Sequence, residues 1–204
     1  SFKYNNYLMR FKIFKFEEVT STNDVAIHLI KNKKTKYGFV YSKKQTNGRG
    51  RHGNKWISNH GNLFGSIFFP LKSNYPPFNE FSLISPILIH DVIKKLCKEK
   101  RISIKWPNDI FLNGKKICGI LQEIITLKSR KFLIIGIGVN IVSSPNINKE
   151  YDVTNIFRET KKIPSLKKLI KLITSTYEKF FNEIDSYKYL NFKKKIDLIV
   201  SKNI

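Results

Sequence analysis

Apolar and polar positions along the chain change period in a way that predicts a mixed α+β fold. Residues 11–16 alternate basic and apolar side chains and read as a strand. Thr20-Ser21-Thr22-Asn23-Asp24 is a run of N-cap residues, and Val25, Ala26, Leu29 and Ile30 follow at helical spacing. Residues 38–42 and 62–69 read as strands, the second closed by Pro70, and residues 72–79 as a proline-containing loop. A mostly apolar helix is predicted from about Glu80 to Glu99, with Pro86 blurring its first turns.

A strand over residues 101–106 leads into the turn Trp106-Pro107-Asn108-Asp109. Strands 110–112 and 116–126 then flank Asn113-Gly114, a strong two-residue hairpin signal. Residues 132–141 return after the polar turn 128–131. Past Pro164, Ser165 caps a helix with Leu166, Leu169, Ile170, Ile173, Tyr177, Phe180, Phe181 and Ile184 on one face, a stripe read as core packing. These elements fit a mixed, largely antiparallel sheet with helices packed on it. They divide the chain into one domain over residues 1–185 and a short basic segment over residues 186–204.

Composition changes this picture in one respect. The net charge of +23 invites a nucleic-acid reading. However, Lys, Asn and Ile supply 80 of the 204 residues and Ala occurs once, the bias expected of an A+T-rich genome. The charge is spread along the chain rather than striped, so a basic nucleic-acid-binding protein stands only as the alternative of another class. Cys97 and Cys118 have no metal-type spacing and read as buried, reduced thiols of a cytoplasmic protein. Four scattered histidines form no cluster, and no metal site is assigned. No apolar run is long enough to span a bilayer, and the polar N-terminus lacks the hydrophobic region of a secretory signal.

Chemistry concentrates between Gly38 and Gly138, which bound all ten glycines and both tryptophans. Residues 45–56 place Gly48, Gly50, Gly53, Arg49 and Arg51 within six positions, with Trp56 close behind. Glycine lets backbone N–H groups approach a ligand, and guanidinium forks match carboxylate or phosphate oxygens. Such a loop suits an anion; the bland alternative is a flexible basic surface loop. With no acid in residues 47–55 and nothing apolar to anchor it, the loop is expected to be mobile until ligand orders it, and Trp56 to gain a stacking partner only then.

Five motifs in order, Ser21-Thr22-Asn23, Gln45…Gly48-Arg49-Gly50-Arg51-His52-Gly53…Trp56, Lys105-Trp106-Pro107-Asn108-Asp109, Lys116-Ile117-Cys118-Gly119-Ile120-Leu121 and Gly136-Ile137-Gly138-Val139-Asn140, resemble the biotin protein ligases. The resemblance covers roughly residues 17–140. It implies the catalytic-domain fold of the biotin and lipoate ligases, which is like that of class II aminoacyl-tRNA synthetases. It also implies an activity: biotin and ATP, with Mg²⁺, give biotinyl-5′-AMP, and the biotinyl group passes to one lysine of a biotin carboxyl carrier protein of acetyl-CoA carboxylase.

Carried over residue by residue, the biotin contacts are Ser21, Thr22, Asn23, Gln45, Gly48, Arg49, Gly50, Arg51, Lys116 and Gly119. The adenylate contacts are Arg49, Arg51, Trp56, Lys105, Asn108 and Asn140. Lys116 and Arg51 are the expected catalytic cations, with Asp109 orienting Lys116 or Mg²⁺. Ser21 reads equally as a plain helix cap, Lys116 as one of 32 solvated lysines, and Trp106 as a core residue. About twenty residues precede Ser21, too few for the winged-helix domain of repressor members, so no specific DNA binding is expected. Residues 186–204 are too short for the C-terminal β-barrel of regulatory members. A homodimer stays open, no membrane partner is implied, and a lipoate or octanoate ligase or transferase is the alternative enzyme.

Overall fold

The computed structural model describes residues 8–145 and 151–200. The predicted segments 1–185 and 186–204 therefore lie partly outside the described residues. Seven strands form one sheet: β1 (Lys12–Val19), β2 (Gly38–Gln45), β3 (Leu63–Pro70), β4 (Ile102–Lys105), β5 (Asp109–Leu112), β6 (Lys115–Leu127) and β7 (Arg130–Val139). Their order is β1-β2-β3-β7-β6-β5-β4. Among these strands of the described residues β1 and β2 pair in parallel, and the other neighbouring strands pair antiparallel. The fold is therefore the mixed, largely antiparallel α+β sheet read from the sequence.

Parallel neighbours need a crossover, which α1 (Thr22–Lys33) supplies between β1 and β2. This unit brings the start of α1 and the loop after β2 to the same edge, beyond the carboxyl ends of the two strands, where open sheets place ligands. Asn113 and Gly114 both have positive φ, 51° and 79°, as the expected tight hairpin turn requires.

Two layers cover the sheet. On one face α1 sets Ala26, Leu29 and Ile30 against Val40, Phe68, Phe132 and Ile134. On the other, α2 (Phe81–Leu96), α4 (Leu166–Asn182) and α5 (Tyr189–Ile199) build the main core with Phe39, Ile67, Phe69, Leu133 and Ile135. β3 is buried on both faces, which explains why Ser66 alone interrupts its apolar run. Each fully buried Leu, Ile or Phe contributes roughly 1.5–3 kcal/mol. Ser165 caps α4 by accepting from Lys168 N at 3.1 Å, and six residues of the expected stripe, Leu169, Ile170, Ile173, Tyr177, Phe180 and Phe181, are buried.

The sequence reading missed a short helix, α3 (Ile156–Thr160), and left residues 186–204 without an element. Within that segment α5 packs Ile196 into the core, and Lys195 pairs with Asp91 of α2 at 2.5 Å. Trp106 corrects another expectation: it is 55% exposed rather than core. It lies in the turn that joins the edge strand β4 to β5. Cys97 and Cys118 are free and buried, as expected; burial pushes the Cys97 thiol up to about 11 and the Cys118 thiol higher still. Among the described residues, no helix is long and apolar enough to cross a membrane.

Candidate active site

The first wall of the site is the N-terminus of α1. Ser21 Oγ caps the helix by accepting from Asp24 N at 3.2 Å. The Thr22 N–H donates to Gln45 Oε1 at 2.9 Å, and Gln45 Nε2 donates to Ser58 Oγ at 3.0 Å. Ser21 is thus a helix cap, and its O–H proton is left to serve a ligand, so the two roles read from sequence coexist. Behind them the fully buried Ser66 of β3 donates to Asn23 Oδ1 at 2.5 Å and lies 2.7 Å from Thr22 Oγ1. This fixes Asn23, whose Nδ2 donates to Glu123 Oε2 at 2.9 Å.

The floor is bare backbone. Gly119 and Gly138 pair across β6 and β7, with Leu121 opposite Gly136 two residues on. A Cβ on Gly138 would lie 2.4 Å from the Trp56 ring, one on Gly119 2.7 Å from it, and one on Gly136 2.7 Å from Asn23 Oδ1. Trp56 therefore already lies on two glycines, which corrects the expectation that it gains a partner only with ligand. Gly48 is needed for the same steric reason: a Cβ there would meet Trp56 O at 2.5 Å.

The glycine–arginine loop is held from outside itself. Arg49 pairs with Asp24 of α1 at 2.7 Å and with Glu123 of β6 at 2.9 Å. Burial opposes the Arg49 charge, but the hydrogen bonds it donates to both carboxylates outweigh it and raise its pKa. The like-charge repulsion inferred from residues 47–55 alone is thus offset by acids placed by other elements. Within the loop, Gly50 N donates to Asn54 O at 2.7 Å and Trp56 N to Gly48 O at 2.9 Å. His52 and Gly53 take the left-handed turn, with φ of 56° and 76°. Arg51 reaches the other way, donating to Asn108 Oδ1 at 2.9 Å.

Lys116 stands where two cavities meet. Its Nζ lies 3.0 Å from Asp109 Oδ1, an atom with no other partner, and the two side chains are only 13% and 16% exposed. Nζ also donates to Tyr151 Oη at 3.1 Å and sits 5.6 Å from the Trp56 ring centroid. Burial works against the ammonium, but the Asp109 carboxylate and the Tyr151 hydroxyl outweigh it, so its pKa lies above that of an ordinary lysine. One cavity, about 60 Å³, is lined by Ser21, Thr22, Asn23, Gln45, Arg49 and the glycine floor. The other, about 690 Å³, is lined by His52, Lys55, Lys105, Asn140 and Tyr151. Arg51, Trp56, Asn108, Asp109 and Lys116 border both.

A polar pocket and a basic, aromatic pocket sharing one lysine suit two ligands that must react with each other. A model of the biotin/lipoate A/B protein ligase family matches residues 15–140, which include every side chain of this arrangement except Tyr151. The chain belongs to that family. It is 32% identical over 110 residues to a biotin–[acetyl-CoA-carboxylase] ligase of Paracoccus denitrificans, covering 53% of this chain and 46% of that one. It is 30% identical over 188 residues to biotin–protein ligase 2 of Arabidopsis thaliana, covering 88% and 55%. The chain thus spans about half the length of these curated relatives. The biotin protein ligase of Leishmania major in complex with biotin matches with a TM-score of 0.84 at 27% identity, over 95% of this chain and 82% of that chain. Its complex with biotinyl-5-AMP matches at 0.82 and 26%, over 95% and 83%.

For this member of the family, the fold brings the sequence-derived candidates to two neighbouring cavities, except Gly48, which lines neither. Lys105 is the outermost, exposed at the end of β4, with Nζ 5.5 Å from the Tyr151 ring centroid. Asn140 is 95% buried, and its Nδ2 already donates to Thr154 O at 3.2 Å. Sequence reasoning missed Asp24, Ser66, Glu123 and Tyr151. Two carried a legible signal. Ser66 is the one hydroxyl in a wholly buried apolar strand, and Glu123 interrupts the apolar run of β6 on the face that carries Gly119.

Proposed function

We propose that the chain is an ATP-dependent biotin–protein ligase that forms biotinyl-5′-AMP and passes the biotinyl group to a lysine of an acceptor protein, a biotin carboxyl carrier protein. The observation that carries this reading is the Lys116–Asp109 pair at the common wall of the two cavities. Biotin is assigned to the smaller cavity, where Ser21, Thr22, Asn23 and Gln45 offer the ureido ring hydrogen-bonding groups. This polar end disfavours a lipoyl or octanoyl chain, which needs an apolar slot. ATP is assigned to the larger cavity, with Lys105, Lys116 and Arg51 toward its phosphates. Trp56 is the aromatic surface for its base, and Asn140 borders the same space.

The chemistry joins two anions. A biotin carboxylate oxygen attacks the α-phosphorus, a P–O bond forms, and pyrophosphate leaves. Lys116 and Arg51 meet the carboxylate and phosphate oxygens from the shared wall, offset their repulsion and hold them in line. Asp109 keeps Lys116 charged and aimed, so little reorganisation is needed as charge shifts. In the second step the acceptor lysine amine attacks the acyl carbon and AMP leaves. Among the described residues no cluster of three or more acids, histidines or cysteines gathers. Mg²⁺ would therefore arrive on the ATP phosphates, which it commonly does, with Asp109 the carboxylate nearest to them.

As folded, the 60 Å³ cavity has room on the scale of a few waters. Seating a bicyclic ligand requires the loop carrying Arg49 and Trp56 to move outward and close again. The deciding experiment is biotin-dependent release of pyrophosphate from ATP and Mg²⁺ with no acceptor present. Release supports the adenylate chemistry; its absence with folded protein overturns the assignment.

A further inference from the structure

We propose that Tyr151 is a positioning residue that holds the Lys116 ammonium, and with it Lys105, toward the larger cavity. The inference rests on the ligase reading and adds to it a residue outside the matched motifs. Tyr151 enters the site because the backbone beside it is stitched to Lys116 itself. Lys116 N donates to Asp152 O at 2.8 Å, and Thr154 N donates to Lys116 O at 2.9 Å. Val153 forms the parallel bridge to Lys116.

The far side of this stretch is anchored as well. Asn140 Nδ2 donates to Thr154 O at 3.2 Å, and Thr154 Oγ1 donates to Glu159 Oε1 at 2.6 Å. Glu159 Oε2 in turn accepts from Asn113 Nδ2 at 2.8 Å, in the hairpin turn before Lys116. A chain segment fixed on both sides of one residue has little freedom in where it puts the side chain at its start.

That side chain meets Lys116 in two ways. The hydroxyl accepts from Nζ at 3.1 Å, and the ring centroid lies 4.9 Å from the same atom. The ring also carries Lys105 Nζ, 5.5 Å from its centroid, and is braced edge-on by Phe111 at 6.0 Å. An ammonium has three donors. Tyr151 engages one of them and Asp109 holds the charge as an ion pair, which leaves N–H capacity for an incoming oxygen. The charged and titratable groups around Lys116 are Asp109, Tyr151 and the buried Cys118 thiol, with Arg51, His52, Lys55 and Lys105 bordering the same cavity. Without Tyr151 the ammonium keeps its ion pair but loses the contact that fixes its direction.

The test compares Tyr151→Phe with Tyr151→Leu. Phe keeps both ring contacts and loses the hydroxyl; Leu loses both. Expected losses in kcat for pyrophosphate release are about three- to tenfold for Phe and about ten- to hundredfold for Leu. The KM for ATP should rise with Leu and the KM for biotin should stay unchanged. A second measurement does not depend on catalysis: the rate at which an acylating reagent labels Lys116, followed by peptide mass spectrometry across alkaline pH. With Phe, labelling should begin at lower pH than in the wild type, because the hydroxyl no longer supports the charged form. Identical labelling profiles for wild type and both variants would overturn the proposal, as would unchanged kcat in both. Failure of the wild type to release pyrophosphate would count against the ligase reading alone, since the labelling comparison still reads the Tyr151–Lys116 contact.

Discussion

Replacing Asp109 with Asn keeps the size of the side chain and removes the charge 3.0 Å from Lys116 Nζ. At that separation two unit charges interact by about 1.4 kcal/mol in bulk water and by about 5.5 kcal/mol at an effective dielectric of about 20. The pair is mostly shielded from solvent, so the interaction exceeds the lower figure. Asp109 therefore favours the charged lysine against the burial that opposes it. In the wild type, Lys116 has a raised pKa because its partners outweigh burial. Its charge, and the stability it contributes, are present below the ordinary lysine value and are lost only as pH rises through the raised one. In Asp109→Asn burial acts with its main counterweight gone, and the ammonium loses its proton at lower pH. Pyrophosphate release measured from pH 7 to pH 10 should hold a plateau further into alkali in the wild type than in the variant. Superimposable profiles from two folded proteins would refute the role given to Asp109.

Lys116→Ala should lower the rate of pyrophosphate release by on the order of 10²–10³-fold and also lower the melting temperature, because it leaves the buried Asp109 carboxylate without its partner; near-normal turnover of the folded variant would leave Lys116 a structural ion-pair partner only. Amides of residues 47–55 should exchange quickly in the free protein and slow with a non-hydrolysable biotinyl-adenylate analogue. The Arg49 pairs are each about a third exposed and such pairs are worth only about 0.2–1 kcal/mol, so equal protection with and without the analogue would mean that the loop does not gate. Gly138→Ala places a Cβ 2.4 Å from the Trp56 ring and should weaken binding of the same analogue by about tenfold or more, measured by calorimetry; unchanged affinity would show that the Trp56 seat is not part of the site.

Local chemistry was the legible part of this chain. Ser165 capping α4, the Asn113-Gly114 turn and the apolar stripe of α4 depend on residues a few positions apart, and each appears where its pattern put it. The motif residues could be gathered into one site because each motif carries its own backbone requirement. What stayed hidden depends on pairing between distant segments. Arg49 looked unpaired because Glu123 is 74 residues away and reaches it only once β6 lies beside β7. Asn23 and Ser66 meet across 43 residues, through the burial of β3 under α1. Tyr151 carries no motif, and its place follows from backbone bonds to Lys116 that no spacing announces. Trp106 was misplaced because its apolar character suggested the core, whereas its turn lies at the sheet edge.

The central claim is transfer of biotin to a protein lysine through chemistry centred on Lys116. The direct measurement is the intact mass of an apo biotin-acceptor domain incubated with this chain, biotin, ATP and Mg²⁺, with Lys116→Ala run beside it. The account predicts a mass gain of one biotinyl group on a single acceptor lysine, dependent on both biotin and ATP and strongly slowed in the variant. No mass gain with the folded wild-type chain, or an equal gain with the variant, would contradict it.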